Sequence, residues 1–223
     1  VVADGTTVWE STGRYGSSAL CRYQLGAEQV EQRAALPPEF FAEGICRVGD
    51  VIWQLTWQDR VALAWDADTL EPVDRVPFNR EGWGMCAADG YLVTSDGSSE
   101  LVRRDALSLS PQDVLHVRSE GRRVQGLNDL AWSAGLIWAN VAGTHYLAGI
   151  DPDSGEVTDI VDARRARERH LGDPQAIMNG IAELPADREF LLTGKGWRSI
   201  RHVRLRPFRD PAAHEHLLAG RAR

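Results

Sequence analysis

Apolar and polar residues alternate along this chain in short bursts, and the bursts recur. In Val51-Ile52-Trp53-Gln54-Leu55-Thr56-Trp57, the side chains of Val51, Trp53, Leu55 and Trp57 share one face, as the period of two in an extended strand requires. A turn at Gly or Asp introduces such a run five times: Gly5 before Thr7-Val8-Trp9-Glu10, Gly49-Asp50 before Val51, Gly90 before Tyr91-Leu92-Val93-Thr94, Gly135 before Leu136-Ile137-Trp138-Ala139-Asn140, and Asp187-Arg188-Glu189 before Phe190-Leu191-Leu192-Thr193. The intervals are 44, 41, 45 and 52 residues. A second apolar run follows each first one, and Asp66-Ala67-Asp68-Thr69 and Asp151-Pro152-Asp153-Ser154-Gly155 supply the Asx and Gly chemistry of tight strand-to-strand turns.

Short antiparallel strands in units of this length make the blades of a propeller. The pattern therefore predicts an all-β, five-bladed β-propeller around an axial channel. No unit sustains a period of 3.6, which excludes helical and leucine-rich repeats. A short helical insertion near residues 162–173 accounts for the longest interval. One propeller domain is expected over residues 1–207, followed by a C-terminal tail over 208–223. The innermost strand of the first blade would enter at or just before Val1, and the fifth blade lacks an obvious fourth strand. Either upstream residues or the tail from Pro207 to Arg223 complete the ring; the former is favoured, leaving the first blade short of its N-terminal strand.

Composition narrows the function classes. A net charge of -7 argues against nucleic acid as a partner, since phosphate binding needs a basic surface. The local exception, Arg164-Arg165-Ala166-Arg167-Glu168-Arg169, reads as the solvated face of a short helix rather than a phosphate patch. No apolar run reaches the roughly 20 residues that span a bilayer, so no membrane partner is expected. Cys21, Cys46 and Cys86 allow at most one bridge and contain no CxxC pair; they read as small buried side chains. A monomer is expected. The chain opens on Val1-Val2-Ala3. Removal of a leader would make the protein secreted or periplasmic, and without one it is cytoplasmic, so the compartment stays open.

In a propeller, equivalent positions of successive blades meet at one mouth of the channel. The entrances of the innermost strands read Ala42-Glu43-Gly44-Ile45, Gly82-Trp83-Gly84-Met85, Gly126-Leu127-Asn128-Asp129 and Met178-Asn179-Gly180-Ile181. A carboxylate, an indole and two amides thus face a common cavity, and the ends of the second strands add Trp57 and Lys195. A carboxylate in an aromatic-lined, partly dry pocket has its pKa raised and can exchange protons near neutrality. A lysine and an amide nearby can orient substrate oxygens or stabilise developing charge. Plainer roles remain open at this level: a blade-to-blade hydrogen bond for Glu43, wedge packing for Trp57 and Trp83, strand-end caps for Asn128 and Asn179, a solvated loop position for Lys195. No phosphate-binding loop, nucleophile elbow or His/Cys ligand spacing is present, so no metal site and no cofactor are expected.

At these same residues the chain resembles the glutamine cyclotransferase family, the metal-independent glutaminyl cyclases of plants and bacteria. The resemblance is carried by Trp9-Glu10-Ser11-Thr12-Gly13-Arg14-Tyr15-Gly16, Ala42-Glu43-Gly44-Ile45, Glu81-Gly82-Trp83-Gly84, Leu127-Asn128-Asp129-Leu130, Ile137-Trp138-Ala139-Asn140-Val141, Asn179-Gly180-Ile181-Ala182 and Leu192-Thr193-Gly194-Lys195-Gly196-Trp197. It implies a five-bladed propeller that converts N-terminal Gln of peptides to pyroglutamate with release of ammonia. Glu43 matches the catalytic acid, Asn128 and Lys195 the other polar groups of the site, Trp57 and Trp83 the pocket indoles; Glu10 is assigned a structural role. Two departures stand out. Ala142 occupies the place of a third pocket tryptophan, and the family's Phe- and Gln-bearing N-terminal segment would lie immediately before Val1. A propeller that only binds a peptide or small molecule on its axial face, or one with altered substrate, is the alternative.

Overall fold

The computed structural model describes residues 1–166, 177–186, 188–206 and 212–218. Five antiparallel blade sheets follow one another among the described residues, each a meander whose strands pair in chain order, and a two-stranded ribbon of Arg118–Ser119 and Arg122–Arg123 lies in the chain between the third and fourth. Blade 1 comprises Val2–Asp4, Thr7–Thr12, Ala19–Gln24 and Gln32–Ala35. Blade 2 comprises Ala42–Val48, Val51–Thr56, Val61–Asp66 and Pro72–Pro77. Blade 3 comprises Gly84–Ala87, Leu92–Ser95, Glu100–Arg104 and Pro111–His116. Blade 4 comprises Leu127–Ser133, Leu136–Val141, Tyr146–Ile150 and Val157–Asp162. Blade 5 has three described strands, Met178–Glu183, Glu189–Gly194 and Arg201–Arg204.

The first strand of every blade touches the first strand of both neighbours, and the ring closes between Val2–Asp4 and Met178–Glu183. In blade 1 that inner strand is three residues long. The five-bladed propeller expected from the repeat is therefore the fold. The blades are joined by five apolar clusters, one in each seam. A residue near the start of the second strand, the third in blades 1, 2, 4 and 5 and the second in blade 3, seals each wedge: Trp9 between blades 1 and 2, Trp53 between 2 and 3, Val93 between 3 and 4, Trp138 between 4 and 5, and Leu191 between 5 and 1. Burying one large apolar side chain contributes about 1.5–3 kcal/mol, so these wedges carry much of the ring's cohesion.

The turn glycines are required by backbone conformation rather than by space. Gly5, Gly49, Gly90 and Gly135 all have positive φ, and a Cβ on any of them would meet open space. In blade 5 the positive φ falls on Arg188 (56°), while Asp187 lies outside the described residues. The helical insertion expected near 162–173 lies largely outside them as well; its described part ends the fourth strand of blade 4 at Asp162 and turns through Arg164–Ala166. The described helix is Ala212–Leu218, in the C-terminal tail. It docks over blades 3 and 4 rather than extending blade 5: Ala213 and Leu217 enter the apolar cluster there, and Glu215 and His216 bond Arg122 and Tyr146 at 2.7 and 2.9 Å.

Candidate active site

The entrances of the inner strands are where the chain departs from regular strand geometry. Register shifts insert one extra residue into the inner strand between Ala42 and Ile45, between Leu127 and Leu130, and between Met178 and Gly180. A bulge re-aims the side chain that it carries, and the residues at these bulges are Glu43, Asn128 and Asn179. In blade 3, Trp83 takes the same place directly before the strand that begins at Gly84. The residue that follows each is Gly44, Gly84, Asp129 or Gly180. A Cβ on Gly84 would lie 2.1 Å from the Asn128 carbonyl oxygen, and one on Gly44 would lie 2.6 Å from Gly84 Cα. The backbones of adjacent blades approach too closely here for a side chain. Blade 4 is the exception: buried Asp129 accepts a 3.0 Å hydrogen bond from Ile181 N–H of blade 5, and burial pushes its carboxyl above the ordinary range.

A second ring of residues stands opposite the first. Trp57, Ala142 and Lys195 are each the residue after the bulge-paired second strand, or its continuation. Their N–H groups donate to Phe41, Gly126 and Ile177 carbonyls at 2.9, 2.7 and 2.9 Å. The two rings together enclose a cavity with two lobes at one mouth of the axis. The inner lobe, about 160 Å³, is lined by Phe41, Glu43, Trp57, Trp83, Asn128, Ala142, Ile177 and Lys195. The outer lobe, about 350 Å³, shares Phe41, Glu43, Trp83 and Lys195 and extends over Glu10, Thr193, Asn179 and Trp197.

The polar groups of the inner lobe face one another. Lys195 Nζ lies 4.0 Å from Glu43 Oε1, with the Glu43 side chain 13% exposed and that of Lys195 38%. Asn128 is 8% exposed. The Lys195 ammonium also lies 5.4 Å from the centre of the Phe41 ring, within cation–π range. Phe41 in turn meets Trp57 and the exposed Tyr15 edge-on at 5.8 and 5.2 Å. Five of the six residues singled out from sequence thus border one lobe. The sixth, Asn179, borders the outer lobe only, and its Oδ1 accepts the Lys195 backbone N–H at 3.1 Å, fixing the turn that carries the lysine. Glu10 accepts the Tyr23 hydroxyl at 3.0 Å; burial, and then that carboxylate, push the Tyr23 phenol up. Phe41 was missed by sequence reasoning, although it immediately precedes the Ala42-Glu43-Gly44 repeat position. Ala142, the residue at which the resemblance would place a third tryptophan, also lines the inner lobe.

A sequence model described as Glutamine cyclotransferase matches residues 1–205. The chain belongs to the glutamine cyclotransferase family. It is 30% identical over 212 residues to the glutaminyl-peptide cyclotransferase of Arabidopsis thaliana, covering 92% of this chain and 65% of that relative; the chain thus spans about two thirds of the relative's length. The crystal structure of Myxococcus xanthus glutaminyl cyclase superposes with a TM-score of 0.82 at 30% identity, covering 90% of this chain and 86% of that one. Hydrazine synthase of Kuenenia stuttgartiensis shares the fold alone, at 9% identity and a TM-score of 0.50 over 91% of this chain and 63% of that one.

Among the described residues, no group of three or more His, Cys, Asp or Glu side chains is placed to hold a metal ion. Cys21, Cys46 and Cys86 are free and buried, and burial pushes the Cys46 and Cys86 thiols up, away from the thiolate that reactivity needs. No helix among the described residues is long and apolar enough to cross a membrane.

Proposed function

We propose that the chain is a glutaminyl-peptide cyclotransferase, acting on peptides or small molecules with an N-terminal glutamine. The observation that carries this reading is the 4.0 Å approach of Glu43 and Lys195 inside a lobe walled by Phe41, Trp57 and Trp83 and floored by Asn128. The neutral α-amino nitrogen attacks the γ-amide carbon, forming a five-membered ring and a tetrahedral centre. Glu43 accepts the proton that the amine sheds and returns it to the amide nitrogen, which leaves as ammonia. The C–N bond formed and the C–N bond broken balance, and the carboxylate ends as it began. Lys195 and Asn128 polarise the amide oxygen or hold the peptide backbone.

The reaction is intramolecular, so holding the folded-back conformer accounts for much of the acceleration, and the aromatic walls select that conformer and exclude water. Proton shuttling by Glu43 adds roughly 10²–10⁴-fold, and a preorganised donor on the oxyanion a comparable factor. The space beside Ala142 favours a second reading in which the substrate is bulkier near the reacting end, or is bound without turnover.

The test is ammonia release from a Gln-initiated dipeptide in the presence of EDTA, comparing wild type with Glu43→Gln. Turnover by the wild type that survives EDTA and falls at least about 10²-fold in the variant supports the cyclase. No ammonia from the wild type, or equal turnover in both proteins, would leave the binding module as the better account.

A further inference from the structure

Trp57 and Trp83 come from different blades, yet one carboxylate oxygen holds both. Glu81 Oε2 accepts Nε1–H of Trp57 at 3.1 Å and Nε1–H of Trp83 at 3.2 Å. The other oxygen, Oε1, accepts Gln58 Nε2–H at 3.2 Å. Glu81 borders neither lobe of the cavity. It lies behind the Trp83 indole, beside a shallow cleft that also contains Arg80 and Asp96, so it does not touch the space where a substrate would sit.

Its own position is tightly held. The adjoining Gly82 N–H donates to both the Thr56 and Trp57 carbonyls, at 3.1 and 3.0 Å. A Cβ on Gly82 would lie 2.6 Å from Leu55 Cβ, so the backbone beside Glu81 is pressed onto the end of blade 2. Trp83 is backed in a similar way: a Cβ on Gly97 would lie 2.6–2.8 Å from three carbons of its six-membered ring.

We propose that Glu81 is a positioning residue that locks Trp57 and Trp83 into one rigid wall across the seam between blades 2 and 3, holding the bound glutamine in its folded-back form. This rests on the reading of the inner lobe as a cyclase site. The physical argument is that both indoles are only half-buried, and an indole without an acceptor for its N–H can turn about its side-chain bonds. Ionised acceptors make hydrogen bonds roughly twice as strong as neutral ones. Two donors on one oxygen also fix the angle between the rings, which separate acceptors would not. A wall displaced by about 1 Å can cost an intramolecular reaction of this kind about 10²-fold.

Glu81→Leu removes the acceptor while keeping the bulk. Glu81→Gln keeps an amide oxygen able to accept both indoles and loses only the charge and the Gln58 contact. The expected result is a fall in kcat/KM of about 10–10²-fold for Glu81→Leu, most of it regained in Glu81→Gln, with the pH profile of kcat/KM unchanged in both. Near-UV circular dichroism and acrylamide quenching of tryptophan should shift in Glu81→Leu and not in Glu81→Gln. These optical readouts do not depend on turnover. In a Trp57→Phe/Trp83→Phe background, which has no indole N–H at either position, Glu81→Leu should have no further effect on kcat/KM.

Unaltered kcat/KM in Glu81→Leu, or an undiminished effect in the double-Phe background, would overturn the clamp while leaving the cyclase reading intact. An equal loss in Glu81→Gln and Glu81→Leu with a displaced pH profile would also overturn it, by making Glu81 a proton-transfer group. Absence of ammonia release by the wild type would instead remove the reading beneath it.

Discussion

The two ends of the blades use their repeated positions in opposite ways. At the outer turns between third and fourth strands, blades 2, 3 and 4 carry the same device. Asp66, Asp105 and Asp151 each accept two backbone N–H groups and the hydroxyl of the residue three positions on, Thr69, Ser108 or Ser154. Leu70, Leu109 and Gly155 then take positive φ. At the mouth of the axis, the equivalent positions of blades 2 to 5 carry Glu43, Trp83, Asn128 and Asn179: a carboxylate, an indole and two amides. A turn has one local problem and one good solution, so it is repeated. A cavity needs unlike groups facing one another, so there the repeat diverges while the glycines beneath it, Gly44 and Gly84, keep the backbones of blades 2, 3 and 4 close. Where a repeat protein agrees with itself it is solving folding; where it disagrees it holds its site.

The largest expected effect breaks the shared floor of that mouth. Gly84→Ala places a Cβ 2.1 Å from the Asn128 carbonyl oxygen, and overpacking of this kind costs about 3 kcal/mol, a fall in Tm of roughly 6–12 °C. Thermal denaturation followed by circular dichroism measures it, and an unchanged Tm would mean that the blades can separate at no cost. Next comes Lys195→Met, which touches the diverged layer alone. It should lower kcat by about 10²-fold, near 2.7 kcal/mol, while Tm moves by no more than about 1 °C, because its ion pair is long and partly solvated. An equal loss of stability would place Lys195 with the scaffold instead.

Ala142→Trp sharpens the comparison by adding an indole to the wall of the inner lobe. It should lower KM for a Gln dipeptide by about tenfold and raise it for a peptide bulky near the reacting end, as burial of an added aromatic face implies. Steady-state ammonia release on both substrates reads this out, and no change on either would deny position 142 any part in selectivity.

The smallest effect lies at the repeated turns. Backbone N–H groups, above all that of Ser108, hold the Asp105 carboxyl below its ordinary value of 3.8. A group depressed in the fold stabilises it above its unfolded pKa, and that contribution is lost as pH falls through the folded pKa. The gap in Tm between wild type and Asp105→Asn should therefore be present at about pH 7 and close towards about pH 2. A gap of constant size would show that the turn does not depend on the charge.

What the sequence by itself determined was the local grammar. Strand period and turn chemistry act over a few residues, so blade number and the turns at Gly5, Gly49, Gly90 and Gly135 could be read from it. The axial candidates were legible for the same reason, since a repeat converts sequence position into spatial position. Tertiary structure decided what depends on residues distant in the chain. The bulges that aim Glu43, Asn128 and Asn179 exist only relative to a partner strand, and Phe41 joins the wall only because blade 2 folds it against Trp57 and Lys195. Arg104 makes the point most sharply. In sequence it is a charged strand residue; in the fold it is 1% exposed and bonded to Thr94, the Leu109 carbonyl and Asn79. Burial holds its guanidinium down to about 10. Blade 2 meets the same position with Trp65 donating to Gln54, and blade 1 with Tyr23 donating to Glu10. Which of the three chemistries a blade uses depends on the packing of the seam, because a buried polar group is stable only where its partners converge, and no local pattern records that convergence.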